Sequence, residues 1–117
     1  MLDQGRPRDA VARLRVLLPR FGAYPDLHAA LGRVQIAAGH PDDAIVSLAR
    51  ALSLQPQYHA ARVLLASALE CVGDIAQAQE QIALVLHHDP SHAEALERRQ
   101  EWVRRGERMP PRARSAR

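Results

Sequence analysis

The sequence predicts an all-α fold, an α-α superhelix of antiparallel helix pairs with about six helices, and three observations predict it. Shifted against itself by 34 residues, the chain places Gly5, Gly39 and Gly73 on one another, and likewise Ala10, Ala44 and Ala78, and Leu18, Leu52 and Leu86. The same offset pairs Tyr24 with Tyr58, Leu31 with Leu65, Gly32 with Ala66 and Pro56 with Pro90. Within each period apolar residues recur at three- and four-residue spacing, the mark of a helix with one buried stripe. Finally, 47% of the residues are apolar but only 3% are aromatic, so a core must be built from Leu, Val, Ile and Ala. A repeat of this length is one supersecondary unit that buries its apolar face only by stacking on its neighbours.

The elements follow in chain order. Residues 1–24 read as a partial repeat that supplies a second helix only, over about 6–19, after the stop at Gly5. A first helix spans Pro25 to Ala38, with Leu27, Ala30, Leu31 and Val34 on its stripe, and Gly39 ends it where a left-handed backbone costs glycine little. Pro41 opens the second helix, its missing N–H having no partner to lose, and Asp42 and Asp43 sit at the positive helix end. Ile45, Leu48, Ala51 and Leu52 carry the stripe toward Pro56, so one unit covers 25–58. The next unit, 59–92, has a helix from about His59 to Val72, a stop at Gly73, and a capping-box pattern of Asp74 with Gln77 opening a helix toward His87. Ser91 with Glu94 forms the same pattern before a last helix to about Arg105. The charged outer face of that helix (Glu94, Glu97, Arg98, Arg99, Glu101, Arg104, Arg105) suits a capping element over 91–106. Residues 107–117, with Met109, Pro110, Pro111 and the arginines, are expected to be a disordered Arg-rich tail.

These residues resemble the tetratricopeptide-repeat family, over roughly residues 5 to 106. The family pattern of a Leu followed by a small residue, an inner turn with Gly, an Ala early in the second helix and a closing Pro reads here as Leu31-Gly32, Gly39-His40, Ala44 and Pro56. In the next unit it reads as Leu65-Ala66, Gly73-Asp74, Ala78 and Pro90. The family's first-helix aromatics are replaced by His28 and Gln35, then by Arg62 and Leu69. The resemblance implies a concave face lined by the first helices, used to bind a peptide or partner protein. On helical counting that face carries Asp26, Ala29, Arg33 and Ile36, then Val63, Ser67 and Glu70, with Ala37, Ala60 and Cys71 beside them. Only Arg33 of these could hold a carboxylate, which argues against the Lys, Asn and Arg clamp of chaperone-binding members.

Composition narrows the alternatives. All the basic residues are Arg; the stretch from Arg104 to Arg117 holds six of them against Glu107, while the preceding residues sum to −2. The high pI therefore belongs to the tail, and nucleic-acid or acidic-surface binding through ERMPPRARSAR is the least favoured reading, because no aromatic accompanies the arginines. His87, His88 and His92 near Asp89 have metal-ligand chemistry, but an inter-repeat turn is expected to be polar, and neighbouring His87 and His88 diverge on a helix end; no metal is assigned. Cys71 excludes an intrachain disulfide and takes the place of Ala37 in the preceding unit, which a small semi-buried residue explains. No phosphate-cradling glycine loop, catalytic constellation or cofactor motif is present, so the expectation is a non-enzyme without cofactor. No span or signal segment is visible, which predicts a cytoplasmic chain, and the Lys-free, Arg-rich usage points to a GC-rich bacterial source.

Val11 and Leu17, in AVARLRVLL, lack the partner helix of a complete unit, so this face is expected either to have lost an upstream helix or to pack on a second copy as a homodimer. The competing functional reading is a docking or regulatory segment of a larger enzyme or assembly factor.

Overall fold

The computed structural model describes residues 6–107, so Gly5 and the arginines from Arg108 onward lie outside the described residues. Among the described residues the chain forms seven helices and no strand: α1 (Pro7–Val16), α2 (Leu18–Phe21), α3 (Pro25–Ala37), α4 (Pro41–Leu54), α5 (His59–Cys71), α6 (Ile75–His88) and α7 (Ala93–Arg104). The count exceeds the expected six because the helix foreseen over 6–19 breaks at Leu17. Pro19 is the cause: it has no N–H for a helical bond, and its ring would meet the Arg15 carbonyl. The Leu17 N–H instead bonds the Leu14 carbonyl at 3.0 Å, and a short second helix starts.

The glycine stops behave as their chemistry requires. Gly39 and Gly73 have φ of 84° and 87°, a region costly for any residue with a Cβ. That turn lets the His40 N–H bond the Gln35 carbonyl and the Asp74 N–H bond the Leu69 carbonyl, which satisfies carbonyls left open at the ends of α3 and α5. Two expected caps differ. Asp74 accepts from the Gln77 N–H at 3.2 Å, but its own N–H is taken by Leu69, so only half of the box forms. The Ser91–Glu94 box does not form: Ser91 bonds Asp89, and His92 is the N-cap, its Nδ1 accepting from the Ala95 N–H at 3.3 Å.

From α3 to α7 each helix packs on the next, α1 packs on α3, and α3 also packs directly against α5. Because first helices approach each other along one side, that side is the inner curve of the stack. Two apolar clusters lie between the packed helices. Around Leu48 lie Ala29, Ala44, Ala51, Ala61, Leu65 and Ala68; around Trp102 lie Val63, Ala66, Ala78, Ile82, Val85 and Ala95. The alanines allow close approach and the branched residues fill the space between axes. Gly32 is the tightest point: a Cβ there would lie 2.6 Å from Cδ2 of Leu48.

The replaced aromatics have structural duties. The His28 Nε2–H donates to the Gly22 carbonyl at 2.7 Å, and the Arg62 guanidinium donates to the Pro56 carbonyl at 3.0 Å. Both ties run six residues back and stand one repeat apart, so different side chains clamp equivalent loops. Gln35, almost fully buried, lies between α3 and α4; with its amide nitrogen toward Ser47 it also meets the Asp43 carbonyl and accepts from Arg15 of α1. Where Leu31-Gly32 and Leu65-Ala66 stand in α3 and α5, α7 carries Arg99 and Gln100, both exposed.

Candidate functional site

The inner face is built by α3, α5 and α7, and its organising side chain is Glu70. Placed on the last turn of α5, it reaches across to α7. Its Oε1 accepts from Arg98 at 2.9 Å, and its Oε2 accepts from the Trp102 indole at 3.1 Å and from Arg105. Arg98 uses a second guanidinium nitrogen on the Ser67 hydroxyl, at 2.6 Å. The Glu70 side chain keeps 18% of its exposure, so these charge-assisted bonds act in a partly dried setting. Burial pushes its carboxyl up, but the hydrogen bonds from Arg105 and Trp102 and the charges of Arg98 and Arg105 outweigh it and hold the group below the ordinary carboxylate range.

A depressed carboxylate contributes stability that is present above its unfolded-state value and lost as pH falls through its folded-state value. Acid should therefore loosen α7 below the usual carboxylate range. Trp102, the single tryptophan and fully buried, reports this directly. A red shift of its emission should accompany the acid step in the wild type and be already present near neutrality in Glu70→Gln. An identical acid profile in both proteins would refute the assignment.

Between α5 and α7 the face opens into a groove of about 320 Å³ lined by Val63, Glu94, Glu97, Arg98, Glu101 and Arg104. Arg104 bonds Glu101 at 2.7 Å one turn away on an exposed surface, a pair of little energetic weight. On the α3 side, Asp26 accepts from the Tyr58 hydroxyl at 2.8 Å and Arg33 is exposed.

The residues expected on the concave face thus divide. Asp26 and Arg33 lie on the surface, and Ile36 is half-buried against the Leu48 cluster. Ala29 is 3% exposed and belongs to the core, where a helix crossing needs a small side chain. Val63 is buried too, with only its edge flooring the groove. Ser67 and Glu70 are brought together, but their polar atoms face α7. Arg98 and Arg105, expected on an outer charged face, turn inward to meet Glu70. Trp102 was not foreseen at all, although it continues the apolar spacing from Ala95. At the other end, Val11 is half-buried while Val16, Leu17 and Phe21 are exposed.

The histidines gather more closely than the sequence suggested, because α5 adds His59. Its ring stacks on His88 at 6.3 Å and meets His92 edge-on at 5.9 Å; His87 and His88 are 5.2 Å apart. Among the described residues no group of three His, Cys, Asp or Glu side chains is placed to hold a metal ion. Nor, among them, is any helix long and apolar enough to cross a membrane. Cys71 is exposed as a free thiol rather than semi-buried, since the turn at Gly73 leaves the end of α5 open to solvent.

A family model described as "Tetratricopeptide repeat" matches residues 35–98, more than half of the chain. No curated protein matches.

Proposed function

The chain belongs to the tetratricopeptide-repeat family, and from that premise we propose that it is a non-catalytic scaffold or adaptor that holds a peptide or partner protein on its inner face. Tetratricopeptide repeats in general mediate protein–protein interaction. The reading is supported on this surface by the groove between α5 and α7 and, separately, by the exposed Arg33 on α3. In this reading α7 is the cap of the stack. Arg99 and Gln100 present polar groups where α3 and α5 present Leu and a small residue to their second helices, while Val103, one turn further on, stays 59% exposed.

Affinity capture with quantitative mass spectrometry tests the assignment. Arg33→Glu should reduce recovery of the specific partner by about tenfold, the effect of losing one charge-assisted contact. Val46→Glu, on the opposite face where Val46 is 70% exposed, should leave recovery unchanged. Loss with Val46→Glu and retention with Arg33→Glu would place binding on the outer helices instead.

A further inference from the structure

The charges around the α5–α7 groove are unequally used. Arg98 is committed to Glu70 and Ser67, Arg105 to Glu70, and Arg104 to Glu101. Glu94 and Glu97 have no ion-pair partner among the described residues, although both line the groove. They stand three residues apart on one helix face, a neighbouring pair of like charges that repel when nothing lies between them. Glu94 lies in the first turn of α7, where the helix dipole favours an acid. Glu97 lies beyond that turn and gains no such benefit. The edge of Val63 supplies an apolar floor beside both carboxylates.

We propose that this groove accepts an arginine- or lysine-bearing stretch of a partner protein, a deepening that rests on the interaction-module reading. A cationic head between Glu94 and Glu97 satisfies both carboxylates, while its aliphatic stem lies on Val63, the division of labour by which long basic side chains cover apolar surface. The pairing is electrostatic and half-exposed, so affinity falls as salt rises.

The probe is a fluorescein-labelled peptide alternating arginine with leucine, compared with its glutamate-for-arginine counterpart by fluorescence anisotropy on the full chain. The arginine peptide should bind, weaken by about two- to fivefold in Glu94→Gln and further in the double variant with Glu97→Gln, and lose affinity with added salt, while the glutamate peptide should not bind. Both substitutions are at exposed positions, so circular dichroism should show an unchanged fold. Equal binding of the two peptides, or no loss in the double variant, overturns the charge assignment. The interaction-module reading survives that result if Arg33→Glu still reduces partner recovery. If the arginine peptide binds only after Arg112, Arg114 and Arg117 are replaced by Ser, the groove is occupied by the chain's own terminal arginines and the partner proposal falls.

Discussion

Trp102→Ala should cost about 3–5 kcal/mol, the range for truncating a large buried aromatic, and the loss should concentrate on α7. Trp102 is the largest fully buried side chain and stands at the centre of the cluster of Val63, Ala66, Ile82, Val85 and Ala95. Truncation removes that packing, leaves a cavity, and deprives Glu70 of the indole donor at once. A domain of this size has about 5–15 kcal/mol in total. In a stacked array, stability is close to a sum of neighbour interfaces, so the terminal helix should detach before the rest unfolds. Urea unfolding followed at 222 nm should show an early step, and amide exchange should accelerate within residues 93–104. Trp102→Phe keeps most of the volume while losing the hydrogen bond, and should cost much less. A Trp102→Ala protein within about 1 kcal/mol of wild type would contradict the cluster's role.

The second large effect belongs to the other cluster. Leu48→Ala should cost about 2–5 kcal/mol, because Leu48 is fully buried and fills the space against Gly32. Gly32→Ala should also destabilise, by about 1–3 kcal/mol, since its new Cβ would overlap the Leu48 side chain. Combined, the two should cost less than their sum: the methyl group enters the room that truncation vacates. Denaturant midpoints of the four proteins measure the coupling. Strict additivity would show that the close approach at Gly32 is not sustained in solution.

Much of this arrangement was legible beforehand. Gly39 and Gly73 announce their turns because few other residues adopt a positive φ cheaply, and Pro25 and Pro41 announce helix starts because proline fits only there. The repeat marked Gly32 as a small position and Leu48 as part of an apolar stripe, but only the packed helices show that the two meet. The cap at His92 was not, because Ser91 offered a better local pattern and tertiary packing of the histidines against His59 prevailed. The break at Leu17 was missed although Pro19 was in view; the apolar run around it masked the interruption.

The candidate site was less legible for a related reason. Helical counting locates Glu70 and Ser67 on an inner face, but it cannot say whether a neighbouring helix will use them. Arg98 and Trp102 come from 28 and 32 residues further along, and a charged residue on a terminal helix looks the same in sequence whether it meets solvent or a half-buried carboxylate.

By itself, the amino-acid order determined the helices from α3 to α7 and the glycine stops between them, since these rest on backbone conformations and on apolar spacing that each segment carries within it. Only the packed stack decided which inner-face groups are consumed and which stay open, leaving Glu94 and Glu97 beside Val63 while Glu70 became the anchor of α7. Those outcomes depend on distances between helices, and no local pattern encodes them.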